Sequence, residues 1–358
     1  MKSIYDIDKN FQIETTIDLK GRKVLDVSKE PFEIFGLIKP DENEDYYRRI
    51  PAKTAKQISE RVEMLCKNTA GGRVRFSTDS QTFGLIAEMN GVCRMPHMSL
   101  SGSCGFDCFS IDGEKYTFRN MYISFMENTE TLESVHWIAY EGMKDVEFNF
   151  PLYSGVKKLY VVLDENAKVE KTKSRYKNIK PIIYYGSSIT QGGCASRPGL
   201  SYQSIIERMT NVDYVNLGFS GSAVAEDKMA EYIAGMDMSL FVYDYDHNAG
   251  SPEYLEKTHE KMFKTIRKVH PDIPIICASM PYEECMQRSD ERRAAIKKTV
   301  ANAILNGDNN VYFIDGRDFS KVFGNKNDLT VDNCHPNDYG FMCMAKVFGD
   351  KIKELLDI

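Results

Sequence analysis

No stretch of this 358-residue chain approaches the ~18 consecutive apolar residues of a membrane-spanning helix, so no membrane partner is expected. The opening residues, Met1 to Lys9, break every apolar run with a charge, where an export signal needs roughly 7–15 apolar residues; a cytoplasmic location is the expectation. Positive charge is not in excess. The 46 Lys+Arg against 52 Asp+Glu leave a net charge of -6, and without a global positive field nucleic acid is not an expected partner. Tryptophan is almost missing, with Trp137 alone. The 9 cysteines are odd in number and irregularly spread, in a chain long enough to bury a core without cross-links, and read as buried, reduced thiols. Cys104 and Cys108 are the closest pair, but without a CxxC partner they are read as structural, and no metal or cofactor is expected. A composition 42% hydrophobic and 27% charged excludes a disordered tail, and the length suggests two domains.

From Arg73 to Leu163 short segments rich in β-branched and aromatic residues alternate with polar or glycine-containing turns: Arg73 to Thr78, Thr82 to Met89, Phe106 to Ile111, Met121 to Met126, Leu132 to Tyr140, Asp145 to Phe150 and Lys157 to Leu163. Such spacing predicts an antiparallel β-sandwich or jelly roll over residues 1–164. One amphipathic helix is expected before it, over Ala52 to Asn68, where Ala55, Ile58, Val62 and Leu65 recur at helical spacing and Gly71-Gly72 ends the run. Residues 165–180, rich in lysine, read as a linker with a solvated surface. From Pro181 to the end, five short apolar strands alternate with helical patterns, which predicts an α/β domain with a parallel sheet covered on both faces. In such sheets ligands gather at the carboxyl ends of the strands.

The chemistry-bearing residues fall at those ends. The first strand, Ile182 to Tyr185, runs into Gly186-Ser187-Ser188-Ile189-Thr190-Gln191-Gly192-Gly193. A serine on such a turn stands at the sheet edge, facing the positive end of the next helix, as a nucleophile would; an ordinary Gly/Ser turn fits equally well. A phosphate loop lacks its lysine here. Near the far end, Asp332-Asn333-Cys334-His335 places a carboxylate three residues before a histidine, where it can accept the Nδ1 hydrogen bond and leave Nε2 to take a proton. Alternatively Asp332 or Asn337 simply caps the last helix. Gly218 and Gly221 could bring backbone amides close to a substrate oxygen, and Asn248 offers a side-chain amide. Tight turns account for the same glycines, and Asp244, Asp246 and His247 leave a weaker metal alternative.

Taken together, serine after the first strand, glycine after the second, asparagine after the third and Asp-x-x-His before the last helix resemble the four blocks of the SGNH, or GDSL-type, hydrolases. The resemblance covers roughly residues 181 to 357, about half the chain, and implies a flavodoxin-like three-layer domain over 181–358. It implies Ser188 as nucleophile, His335 as general base and Asp332 as its orienter, with Gly221, Asn248 and the Ser188 amide as oxyanion hole. The segment Gly192 to Gly199 and the leading β-domain also resemble two-domain bacterial members, some of which are carbohydrate esterases that remove acetyl groups. Two departures stand out. Gly186-Ser187-Ser188 replaces Gly-Asp-Ser, leaving adjacent serines of which register favours Ser188, and Gly-x-Asn-Asp is absent around Asn248. The expected function is therefore a serine esterase acting on short acyl groups, acetyl above all, of oligosaccharides. An acyltransferase with the same triad and a non-catalytic carbohydrate-binding protein are the alternatives, with Trp137 either a sugar platform or, by its alternating segment, core.

Overall fold

The computed structural model describes residues 15–358 apart from 124–129, 139, 178, 283–285 and 324–325. In the first half, β1 (Arg22–Asp26), β2 (Glu33–Phe35), α1 (Ala52–Ile58) and α2 (Glu60–Leu65) precede β3 (Arg73–Thr78), β4 (Thr82–Met89) and the short α3 (Leu100–Ser103). Then follow β5 (Phe106–Asp112), β6 (Lys115–Tyr122), β7 (Thr131–Trp137), β8 (Lys144–Asn149), β9 (Val156–Asp164) and β10 (Val169–Glu170). They form two antiparallel sheets, β1-β9-β4-β7 and β10-β3-β8-β5-β6, with β2 also on β3. Alternation builds the sandwich: Val74, Phe76 and Phe148 of one sheet meet Leu85, Ala87 and Val161 of the other in one core. The parts of the expected strands at 124–126 and 139 lie outside the described residues.

The single helix expected over Ala52 to Asn68 is two. Ser59 is extended (φ -167°, ψ 159°), and its side chain accepts from the Val62 amide, capping α2. Serine's oxygen competes for backbone N–H groups, a term that apolar periodicity does not register.

The second half contains β11 (Ile182–Gly186), α4 (Ser188–Gln191), α5 (Tyr202–Thr210), β12 (Tyr214–Gly218), α6 (Asp227–Ala234), β13 (Leu240–Asp244) and α7 (Pro252–Val269). β14 (Ile275–Ala278), α8 (Ser289–Leu305), β15 (Val311–Ile314) and α9 (Asp338–Leu356) complete it. All five strands are parallel, in the order β12-β11-β13-β14-β15, the flavodoxin-like order. Successive residues serve opposite faces: Ile183 and Tyr185 join the core with α6, α7 and α8, while Ile182 and Tyr184 join the one with α5 and α9. Ala55, Val62 and Leu65 of α1 and α2 belong to the first of these cores, so those two helices pack on the parallel sheet rather than on the sandwich.

The halves meet through buried charge. Arg75 of β3 bonds Glu147 of β8 at 2.7 Å and Glu207 of α5 at 2.5 Å, with all three side chains fully buried, while Arg73 reaches Asp213. Burial first, then the charge of Glu147, pushes the Glu207 carboxyl up to about 7 against the pull of Arg75 and Arg73. The segment expected as a linker carries β10 and lays Tyr176 over the Arg75 guanidinium, 3.7 Å from the ring centre. Trp137 is not core: it is 68% exposed at the end of β7, opposite Thr82 at the start of β4. The eight-residue β4 runs from there toward the loop that carries His97, a strand length of roughly 25 Å.

Candidate active site

The turn after β11 separates the two serines. Ser187 is fully buried and its hydroxyl accepts from the Ile189 amide at 3.2 Å, so it caps α4. Ser188 is half-buried, and its Oγ lies 2.9 Å from His335 Nε2. α4 is one turn long and ends at Gly192, so the helix-end field expected at the serine is that of a single turn.

Across the site, Asp332 Oδ2 sits 2.8 Å from His335 Nδ1. Its other oxygen accepts from the His335 amide at 2.7 Å and the Cys334 amide at 3.1 Å, clamping the carboxylate onto the loop that carries the ring. Partial burial pushes the Asp332 carboxyl upward, but the hydrogen bonds from the His335 amide and ring outweigh it and hold the group below its ordinary value. Asn337, not Asp332, caps α9, through a 3.0 Å bond from the Gly340 amide. Ser188, His335 and Asp332 therefore stand in one hydrogen-bonded line.

The loops after β12 and β13 close on the same sheet edge. A side chain at Gly218 would collide with the Gln191 amide at 2.1 Å, and Gly221 has φ +64°, a conformation glycine adopts without strain. Asn248 Nδ2 donates to Phe219 O at 3.0 Å, which orients the amide and leaves its second N–H free to donate. Among the described residues no hydrogen bond occupies the amide of Ser188 or Gly221. The metal alternative dissolves: Asp246 pairs with Arg292 and accepts from Met280 N, and His247 Nε2 bonds Pro281 O. Asp244 is fully buried without a hydrogen-bond partner among the described residues, and burial drives its carboxyl well above the ordinary value, toward the neutral acid. Cys104 and Cys108 are both buried, as expected of structural thiols.

Residues 179–353 match the model of the GDSL-like lipase/acylhydrolase family, and residues 23–169 match that of the N-terminus of SGNH-hydrolase-type esterases. The chain belongs to the SGNH, or GDSL-type, hydrolase family. It is a carboxylic ester hydrolase by that membership. A protein from Bacteroides ovatus described as a GDSL-like lipase is 26% identical, aligned over 94% of this chain and 98% of its own, with a TM-score of 0.84. A salicylyl-acyltransferase from a tetracycline biosynthetic pathway shares the fold at 18% identity and TM-score 0.77, over 94% and 98% of the two chains. So does an acetyl xylan esterase from the rumen bacterium Butyrivibrio proteoclasticus, at 12% identity, TM-score 0.59, and 94% and 99% coverage. No curated protein sequence matches the chain.

In this SGNH hydrolase the sandwich half reaches the site directly, through residues that sequence reading passed over. Tyr153 OH donates to Ser188 O at 3.1 Å. Arg49, fully buried, donates to Asn216 O at 3.3 Å and to Gly218 O, bracing the end of β12 ahead of Gly221. His97 sets its ring 5.4 Å from that of His335. None of the three carries a local sequence signal, because each acts across a contact between distant segments. The Gly192–Gly199 segment is also tied to the sandwich: Arg197 bonds Asp107 of β5 at 2.6 Å, and Gly199 N reaches the same carboxylate at 2.9 Å.

Proposed function

We propose that this protein is a serine esterase that removes short acyl groups, acetyl first among them, from oligosaccharides. The observation that carries the reading is the continuous Ser188–His335–Asp332 line. Asp332 fixes the imidazole with Nδ1 protonated, so Nε2 takes the Ser188 proton as Oγ attacks the ester carbonyl. The tetrahedral oxyanion is met by the amides of Ser188 and Gly221 and by the Asn248 side chain. Collapse expels the alcohol, protonated by His335, and leaves an acyl-enzyme. Water, deprotonated by the same histidine, then releases the acid. A short acyl group suits the close packing beside the serine, where a Cβ on Gly193 would lie 2.8 Å from Tyr153 OH and 3.3 Å from the His335 ring. The sugar rests on the carbohydrate-esterase relatives of the same two-part build. The domain division behind it is 1–164, 165–180 and 181–358.

The test is kcat/KM for acetyl, butyryl and octanoyl esters, with acetate release from acetylated oligosaccharides measured beside acetylated non-sugars. Acetyl should lead, and a preference rising with chain length overturns the acyl assignment. Acyl transfer is the second reading, supported by the acyltransferase of the same fold; an added alcohol acceptor that diverts product from acid to new ester would favour it.

Asn248→Ala should lower kcat by about 10²–10³ with a smaller change in KM, the loss expected for a single oxyanion donor. Near wild-type turnover would remove Asn248 from that role. His335→Ala should approach the loss seen on removing the serine, since a serine hydroxyl is a weak nucleophile without its base. Asp332→Asn should retain more activity, because the amide still holds the ring but favours the wrong tautomer. Steady-state rates of the two variants side by side test that order.

A further inference from the structure

Beside the serine, three ligand atoms preferred by borderline-soft metal ions converge from separate parts of the chain. One nitrogen each of His97 and His335 and the Cys194 sulfur all lie within 4.8 Å of one another. His97 comes from the loop after β4, Cys194 from the turn after α4 and His335 from the loop before α9. Among the described residues neither the exposed His97 nor the buried Cys194 has a side-chain hydrogen-bond partner, so both hold unused lone pairs. Cys194 also has φ +77°, a left-handed conformation that costs a non-glycine residue energy. The chain thus holds a thiol, under backbone strain, where glycine would sit without cost.

From this geometry we infer that His97, Cys194 and His335 form an inhibitory site for a borderline-soft divalent ion, with Zn²⁺ as its natural type. His335 Nδ1 is engaged by Asp332, so Nε2 is its ligand atom, and a carboxylate behind a ligating histidine is the usual outer support of a zinc site. Tetrahedral zinc, with bonds of about 2.0–2.3 Å, needs its ligand atoms roughly 3.3–3.8 Å apart. Atoms within 4.8 Å reach that spacing by small side-chain rotations, for which the exposed His97 has the most room. On binding, the Cys194 thiol gives its proton to solvent and the thiolate joins the two neutral imidazoles, leaving one position open toward Ser188. The ion occupies the lone pair of Nε2, so ester hydrolysis stops until the ion leaves. That consequence rests on His335 acting as the base proposed above; the binding itself does not.

The test separates the two. Calorimetric titration of Ser188→Ala with Zn²⁺ reads binding without any turnover, and should show a single site. Co²⁺ in the same protein should give the near-ultraviolet thiolate-to-metal band, and Cys194→Ser should abolish it. Cys194→Ser and the surface substitution His97→Ala should each weaken Zn²⁺ by at least the roughly 10–100-fold that losing an outer-shell partner costs. Absence of Zn²⁺ binding, or binding unchanged in both variants, overturns the site. Binding that follows this pattern while Zn²⁺ leaves hydrolysis by the unmutated enzyme untouched retains the site and overturns its inhibitory role together with His335 as base.

Discussion

Ser188→Ala is expected to lower kcat by roughly 10⁴–10⁶, the range over which loss of a serine nucleophile leaves only binding and oxyanion stabilisation. The fold should survive, because Ser188 is half-buried and its hydroxyl bonds only toward His335. Its neighbour should behave in the opposite way. Ser187 is buried and caps α4, so Ser187→Ala should keep most of the turnover and lose about 0.5–2 kcal/mol of stability. Initial rates, fluorophosphonate labelling and thermal unfolding of the two variants give the answer together. A dead Ser187→Ala beside an active Ser188→Ala would shift the nucleophile by one residue and overturn the proposed mechanism.

Arg75→Met should produce the largest loss of stability outside the core, about 3–5 kcal/mol, because it leaves Glu147 and Glu207 buried without their shared cation. The loss should grow with pH. Glu207 already sits above its ordinary value, near 7, and removing Arg75 raises it further. The folded state then binds more protons than the unfolded state between the ordinary carboxyl range and that raised value, so stability falls as pH climbs through it. Urea unfolding at pH 5 and pH 8 measures both effects. Adding Glu207→Gln to Arg75→Met should recover part of the stability at pH 8, since it deletes one of the stranded charges. Equal stability of Arg75→Met and the unmutated protein at pH 8 would mean that the buried cluster does not hold the halves together.

The parallel sheet was legible because its signal is local. Ile182–Tyr185, Tyr214–Leu217, Leu240–Tyr243 and Val311–Ile314 are short apolar runs, each ending at a turn, and β11, β12, β13 and β15 follow them within a residue. The hydrogen-bonded line of Ser188, His335 and Asp332 was legible for a related reason. Asp332 and His335 lie on one loop, and Ser188 follows a strand whose position beside that loop is dictated by the fold. Helix α6, Asp227–Ala234, was not read at all, and the break at Ser59 was missed because a single side-chain cap outweighed apolar spacing. Register alone favoured Ser188 over Ser187, and the structure gives the packing reason: Ser187 is buried as the cap of α4 while Ser188 faces the histidine.

By itself the sequence determined the alternation of strands and helices, the two-sheet sandwich ahead of them and the identity of the residues at the strand ends, all set by periodicity and turn chemistry within short windows. The tertiary structure decided the rest. In β3, Arg73, Arg75 and Ser77 alternate with Val74 and Phe76, a pattern that on its own reads as one solvent face and one core face. Both arginines are nevertheless fully buried, because the second half of the chain covers that face with Glu207 and Asp213. The same long-range docking brings His97, Tyr153 and Arg49 to a site otherwise built from residues 186–335. A side chain's partner across such a contact depends on surfaces brought together from 35 residues apart for Tyr153 and Ser188 to more than a hundred for Arg49 and Gly218, and no local pattern encodes it.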